Sequence, residues 1–321
     1  MDKRFTIGRT GIEVSRIGLG AGVVGNTMMY PKVTEDMGRE LVQAAIEEGI
    51  DFIDTAFLYG FGRSEELIGE AIRNSGRRDK VKLSTKAAAN FKLTDQGAMQ
   101  VDNSPSALRE SVEHSLTRLQ TDYIDVFFVH YPYSDTPLEE AAGALADLKQ
   151  EGKIKSIGAS NLSYEQLQQF NMDGYMDVFQ TEYSLLARQA ETDLIPYCLE
   201  HQISVIPTFP LASGLLAGQY KKEDTFTDLS RMNNPMFQGE DYITNLERVE
   251  RMKDYAAKKD MTLPQMALAW LLNRPGVDLI IPGATRPDQL RTNMRTTEVV
   301  LTDADMEHLD ILSSTSNPGS E

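Results

Sequence analysis

The stretch GIDFIDTAFLYGFGRSEELIGEAI, residues 49–72, reads as a buried strand, a loop and a helix in succession. Asp54 closes an apolar run, and Tyr59 follows five residues later in a glycine-flanked loop. A carboxylate and a phenol sit badly in a purely structural reading of a strand end. The same strand–loop–helix pattern recurs on both sides of this stretch. RFTIGRTGIEVS (4–15) is expected to form a hairpin. Strands are then expected at RIGLG (16–20), DFIDTA (51–56), VKLSTKA (81–87) and DVFFVHY (125–131). Four more follow: IKSIGAS (154–160), DVFQTEYS (177–184), SVIPTFPL (204–211) and DLIIPGA (278–284). Most are nearly continuous apolar runs, as strands buried on both faces of a parallel sheet require.

Helical spacing separates them. TEDMGRELVQAAIEEG (34–49) offers Thr34 as an N-cap and Gly49 as a stop. SPSALRESVEHSLTRLQ (104–120) starts on Ser104 and Pro105, a cap followed by a first-turn proline. TPLEEAAGALADLKQEGK (136–153) repeats that start with Thr136 and Pro137 and ends at Gly152. The alternation predicts an α/β fold: a (β/α)8 TIM barrel with an N-terminal β-hairpin and a long loop after strand seven. Residues 1–321 are expected to form one barrel domain, because barrels of this kind exceed the usual domain length. The competing architecture is a doubly wound open sheet. It needs a glycine fingerprint at its first βα turn; GLGAGVVG (18–25) is glycine-rich, but no good helix starts there. Residues 212–240 are rich in turn formers with little periodicity, as in a functional lid. The tail SSTSNPGSE (313–321) is expected to fray.

Composition narrows the function classes. The 321 residues are 41% hydrophobic and 25% charged, enough apolar content for a large core. A net charge of −16 disfavours general binding to nucleic acid or anionic membranes. Cys198 is the one cysteine, so no intramolecular disulfide forms, and its helical setting suggests a structural thiol. The N-terminus has no apolar h-region and no run of 18 apolar residues occurs, so a cytoplasmic address is expected. The four histidines form no His-x-His or His-x-x-x-His pair, which argues against a metal-dependent barrel hydrolase and for no metal.

In a barrel, chemistry gathers at the C-terminal ends of the strands. Asp54 ends strand two with Tyr59 just beyond, Lys86 ends strand three, and His130 ends strand four. A neighbouring ammonium is expected to lower the phenol's pKa, Asp54 to hold Lys86, and His130 to bond a substrate oxygen. Such a set suits proton delivery to a carbonyl oxygen while a hydride reaches its carbon. Singly, each residue is as easily structural: a turn cap, a surface lysine, a packed tyrosine, a satisfied histidine. Val24, Met28, Met29, Tyr30, Phe57, Phe91, Tyr131 and Tyr133 are candidate walls of an apolar, aromatic substrate pocket. Trp270 is expected in the core.

These segments resemble the aldo-keto reductase superfamily. The opening stretch is similar to its first signature, and TDYIDVFFVHYP to the strand bearing its histidine. LKQEGKIKSIGASN, DVFQTEYSLL, PLASGLLAGQY and IIPGATRPDQLRTN match further segments in order, from about residue 3 to 312. RSEELIGE, DNSP and FPLASGLLAGQY most resemble bacterial reductases of the inositol-operon-associated type. The resemblance implies a catalytic tetrad of Asp54, Tyr59, Lys86 and His130, with Tyr59 as general acid. It implies NADPH/NADP+ as cofactor. Ser160, Asn161 and Gln180 would hold the nicotinamide carboxamide, and Leu211, Ser213, Gly214 and Leu216 the pyrophosphate. Gly283, Thr285, Arg286, Gln289 and Asn293 would hold the adenosine half, and Gly20 would join the cofactor set. Arg286 would supply a bidentate partner for a 2′-phosphate.

One departure stands out: Thr208 in IPTFPL occupies a position where an aromatic ring usually stacks on the nicotinamide, and Phe209 should face away by strand alternation. The implied activity is reversible reduction of aldehydes or ketones to alcohols, on a small carbonyl or alcohol substrate, by a monomer or weak homo-oligomer. The alternative is a cofactor-binding regulatory or redox-sensing subunit with slow turnover, and the chain's near-immediate entry into the barrel speaks against its partner-binding extension.

Overall fold

The computed structural model describes residues 4–93 and 99–314. The expectation for the tail beyond Ser314 lies outside the described residues. The chain opens with the antiparallel hairpin β1 (Arg4–Thr6) and β2 (Glu13–Ser15). The later strands are β3 (Leu19–Gly20), β4 (Phe52–Asp54), β5 (Lys82–Ala87), β6 (Ala89–Leu93), β7 (Met99–Asp102) and β8 (Val126–Val129), then β9 (Ile157–Ser160), β10 (Val178–Glu182) and β11 (Ser204–Thr208). The helices are α1 (Glu35–Glu47), α2 (Arg63–Ser75), α3 (Pro105–Leu119), α4 (Leu138–Gln150), α5 (Tyr164–Phe170) and α6 (Leu194–Glu200). After them come α7 (Leu229–Met232), α8 (Gly239–Lys258), α9 (Leu263–Leu272), α10 (Pro287–Met294) and α11 (Asp303–Ser313).

Seven strands pair in parallel in the order β11-β10-β9-β8-β5-β4-β3. Residues 277–283 close this sheet into a barrel. Val277 bridges Val205 on one edge, while Ile280 bridges Ile17 and Gly283 bridges Gly20 on the other. The eighth strand is therefore present as isolated bridges, and Pro282 within it has no N–H to extend the ladder. Gly20 owes its identity to this seam: a Cβ there would sit 2.4 Å from the carbonyl oxygen of Ile281. The open-sheet alternative is thus excluded, and among the described residues no helix begins before Glu35.

The strand interiors and helix faces meet in a continuous core around Leu41, Ile53, Leu83, Phe127, Phe179 and Trp270. Phe52, Val126, Phe128, Val178 and Ile206 fill the barrel itself. Thr34 and Ser104 cap α1 and α3 through their side chains, as their spacing predicts. Thr136 does not cap α4: the helix starts later, with Pro137 at the N-cap and no side-chain cap bond. Cys198 is fully buried in α6, and desolvation pushes its thiol up to about 12, so it packs as an apolar side chain. Trp270 is equally buried, with its indole N–H donated to Asp310 at 3.0 Å.

The segment 212–240 is more ordered than its composition suggests. Tyr220, Phe226, Phe237 and Tyr242 form a small aromatic core, with ring centroids 4.9 Å apart for Phe226 and Phe237. The antiparallel hairpin β6–β7 beside the barrel mouth was not anticipated. Its strands are short, and Asn90, Lys92, Gln100 and Asp102 interrupt their apolar residues.

Candidate active site

The loop carrying Tyr59 is fixed by backbone bonds before any side chain acts. Past Asp54 the chain still follows β5, with Thr55 N–H bonded to the Ser84 carbonyl at 2.8 Å. It then turns: Tyr59 N–H reaches the Ala56 carbonyl, and the Tyr59 carbonyl accepts from Ser64 at the start of α2. Gly60 makes the turn possible. It has φ 67°, and a Cβ there would lie 2.1 Å from the Gly25 carbonyl oxygen. Gly60→Ala is expected to destabilise the fold by about 1–3 kcal/mol and to displace Tyr59. A Tm equal to that of the wild type, measured by calorimetry, would refute the packing argument.

Under this loop lies an ion pair that the sequence did not reveal. The Glu65 carboxylate is fully buried, accepts from Thr85 Oγ1 at 2.7 Å and from Arg118 Nε at 2.5 Å, and so joins α2, β5 and α3. The Arg118 guanidinium also lies over Phe57, 5.1 Å from its ring centre. An acidic first turn of α2 was the only signal, and it pointed equally to a solvated helix start.

The strand ends bring the four expected groups together. Lys86 Nζ donates to Asp54 Oδ2 at 2.7 Å and to the Thr55 carbonyl at 2.8 Å. The second Asp54 oxygen accepts from Ser84 Oγ at 2.6 Å and from Gln180 Nε2 at 2.9 Å. Asp54 and Ser84 are register partners, which explains the short contact. Lys86 Nζ lies 5.2 Å from the centre of the Tyr59 ring, and that ring meets His130 edge-on at 6.2 Å. Ser84 is the member the sequence reading missed. It lies two residues before Lys86 on the same strand face, so alternation could have found it.

The electrostatics differ from expectation at Tyr59. Burial, reinforced by the Asp54 carboxylate, raises the phenol's pKa well above its ordinary value. The nearby Lys86 ammonium, directed to Asp54 and the Thr55 carbonyl, does not outweigh burial. Tyr59 is thus a neutral proton donor in this state. Burial, with Lys86 nearby, lowers the pKa of His130 well below its usual value, so the imidazole is neutral. Its Nδ1 is buried with no hydrogen-bond partner among the described residues. The His130 carbonyl accepts from Ser160 Oγ at 2.7 Å and Asn161 Nδ2 at 2.9 Å, which ties the next strand end to the tetrad.

The surroundings fit a carboxamide ligand. Gln180 donates through Nε2 to Asp54, while its Oε1 is buried and unpartnered, a free acceptor beside Ser160 and Asn161. Asn161 holds φ 59°, a left-handed conformation rare for a side-chain-bearing residue. Beyond β11 the chain is bent through Phe209, Ala212, Ser213 and Gly214, all at positive φ. Strain of this density collects at ligand clamps. Arg231 Nε holds the Ser213 carbonyl at 3.2 Å, another contact unseen in the sequence. Leu211 is partly buried, whereas Leu216 is fully buried with its N–H bonded to the Leu211 carbonyl. The β11 strand ends at Thr208, so alternation does not extend to Phe209, which is 50% exposed.

At the opposite lip, Gly283 faces Gly20 across the seam. Thr285 N–H and Oγ1 both bond Gln289 Oε1, at 2.8 and 3.0 Å, and Asn293 is buried in the same helix. Arg286 precedes α10 and is exposed, gripped by Asp288 through Nε at 3.0 Å and Nη2 at 3.1 Å.

The Aldo/keto reductase family profile matches residues 16–314. The chain belongs to this family. The reductase is 37% identical to the aldo-keto reductase YhdN of Bacillus subtilis over 309 residues, covering 96% of this chain and 92% of that protein. It is 34% identical to the NADH-specific methylglyoxal reductase of Escherichia coli over 317 residues, covering 94% and 96%. Among solved structures, the glycerol dehydrogenase AKR11B4 of Gluconobacter oxydans matches with a TM-score of 0.86 at 31% identity over 100% of both chains. These relatives support the superfamily; they do not carry the narrower likeness to the inositol-operon type.

The expected wall residues of the reductase divide. Val24 is fully buried core, because α1 packs on it through Gly38. Met28 is 58% exposed, Tyr133 is exposed, and Met29, Tyr30, Phe57, Phe91 and Tyr131 are partly buried. His130, Tyr131 and Tyr133 form a stacked ladder with centroid spacings of 4.5 and 5.6 Å. Phe57, Phe61 and Phe91 form a second aromatic run. No metal-ligand cluster occurs among the described residues, and no helix among them is long and apolar enough to cross a membrane.

Proposed function

We propose that this reductase converts aldehydes or ketones to alcohols, reversibly, with NADPH as its preferred coenzyme and Tyr59 as proton donor. The observation that carries the reading is the buried Asp54–Lys86 pair set against a protonated Tyr59 and a neutral His130 at one barrel mouth. When bound, the nicotinamide supplies the hydride to the carbonyl carbon. Ser160, Asn161 and the free Gln180 oxygen orient its carboxamide, Leu211, Ser213, Gly214 and Leu216 form the pyrophosphate loop, and Gly20, Gly283, Thr285, Arg286, Gln289 and Asn293 complete the nucleotide site. His130 donates a hydrogen bond to the carbonyl oxygen. Tyr59 O–H gives its proton to that oxygen as negative charge develops, and Lys86 stabilises the phenolate left behind. In the oxidation direction the phenolate takes the proton back. The chain acts as one barrel domain, as a monomer or weak homo-oligomer.

Two features moderate the NADPH preference. Asp288 already occupies the Arg286 guanidinium, so a 2′-phosphate has to replace it. One relative is NADH-specific by name. The expected advantage of NADPH is about tenfold, the worth of one charge-assisted hydrogen bond. Fluorescence titration with both coenzymes, then an absorbance assay over aldehydes and ketones, tests the reading. Absence of binding by either coenzyme would overturn it, whereas tight binding without turnover would favour the regulatory alternative. Arg286→Ala is expected to erase the tenfold difference; equal losses for NADPH and NADH would remove Arg286 from the phosphate role. The narrower kinship with inositol-operon reductases rests on RSEELIGE, DNSP and FPLASGLLAGQY, and is tested by offering cyclic polyols in the oxidation direction.

A further inference from the structure

Strand alternation on β10 sets a carboxylate at the barrel mouth that the tetrad does not use. Val178 fills the barrel and Gln180 reaches Asp54 through Nε2 at 2.9 Å, so every second residue of this strand faces inward. Glu182 is the next inward position and the last residue of the strand. It stands about 7 Å beyond Gln180 along the strand. Across the ladder its register partner is Thr208, the last residue of β11, and Ile206, two residues earlier, also fills the barrel. Tyr183 N–H bonds the Thr208 carbonyl at 3.3 Å and holds the two strand ends together.

Glu182 is exposed, and among the described residues its side chain makes no hydrogen bond and no ion pair. Desolvation raises its carboxyl pKa above the ordinary value, and no neighbouring cation offsets that. One step further in, the buried Oε1 of Gln180 is also unpartnered, with Ser160 as the register partner of Gln180. The Asp54–Lys86 pair cancels as a unit. A nicotinamide whose carboxamide is held by Ser160, Asn161 and Gln180 therefore meets an uncompensated negative charge on the same strand face. Thr208, beside that charge, brings no aromatic ring.

We infer that Glu182 is the counter-charge to the oxidised nicotinamide, so that the site holds NADP+ more tightly, relative to NADPH, than it would without this carboxylate. The inference rests on the cofactor placement in the proposed function. The nicotinamide ring is neutral when reduced and carries a unit positive charge when oxidised. A carboxylate roughly 5–7 Å from that charge, at a partly wet barrel mouth, favours the cation about three- to tenfold. The equilibrium between the bound species then shifts by the same factor toward alcohol oxidation, while the overall equilibrium in solution is unchanged.

Isothermal titration calorimetry of the full-length protein with NADP+ and with NADPH tests this in three forms: the wild type, Glu182→Gln and Glu182→Lys. The Glu182 side chain is exposed and bonds no described residue, so both variants should keep the fold. The phosphates and the adenosine are common to both coenzymes, so their contribution cancels in the ratio Kd(NADPH)/Kd(NADP+). That ratio is expected to fall about three- to tenfold from the wild type to Glu182→Gln, and about as far again in Glu182→Lys. A ratio that stays constant across the three forms, with both coenzymes still bound, would overturn the counter-charge and leave the cofactor site standing. A ratio that falls in Glu182→Gln but recovers in Glu182→Lys would overturn it equally, since the change would not follow charge. A wild type that binds neither coenzyme would bring down the cofactor placement first, and the counter-charge with it.

Discussion

Tyr59→Phe is expected to reduce kcat for carbonyl reduction by about 10²–10⁴-fold while leaving coenzyme affinity nearly unchanged. The substitution removes one oxygen. Among the described residues no hydrogen bond to the Tyr59 hydroxyl is made in the resting protein, so no partner is orphaned and the ring keeps its contacts with His130 and Lys86. The loss would therefore report on proton transfer and not on folding. Single-turnover kinetics with NADPH, beside a fluorescence titration, separates the two. Turnover within tenfold of the wild type would remove Tyr59 from the role of proton donor.

Asp54→Asn is expected to cost about 3–5 kcal/mol of stability, because it leaves the Lys86 charge buried without its counter-charge. Lys86 is only 1% exposed, and among the described residues its sole other acceptor is the Thr55 carbonyl. Adding Lys86→Met removes the stranded charge and should restore part of the loss, so the two substitutions should be coupled by about 0.5–3 kcal/mol. Urea unfolding with unchanged m-values measures this. Additive effects would mean that the pair does not act as a unit. Both single variants should also lose reductase activity, since Asp54 additionally gathers Ser84 and Gln180.

The barrel was legible because its signals are local. Apolar runs such as VFFV announce strands buried on both faces, and Thr34, Ser104 and Gly49 mark helix ends within a few residues of their observed positions. The hairpin β6–β7 was not legible, since Ala89–Leu93 alternates weakly and its pairing depends on a neighbouring loop. The start of α4 shifted past Thr136 because Ser134 Oγ bonds the Thr136 N–H and holds the turn open. Residues 212–240 gave little periodicity, for their order comes from aromatic contacts between residues up to 17 apart, Tyr220 to Phe237.

The sequence by itself determined the alternation of strands and helices, the strand ends on which Asp54, Lys86 and His130 stand, and the turn that carries Tyr59. Those depend on side-chain period, capping and glycine, all of which act over a few residues. Only the tertiary structure decided the protonation of the site. Burial of Tyr59 and His130, and the direction of the Lys86 charge, depend on what packs across the barrel. It likewise decided that Glu65 and Arg118 anchor the Tyr59 loop, that Arg231 holds Ser213, and that Val24 is core. Charge and burial are sums over neighbours distant in sequence, and no local pattern records them.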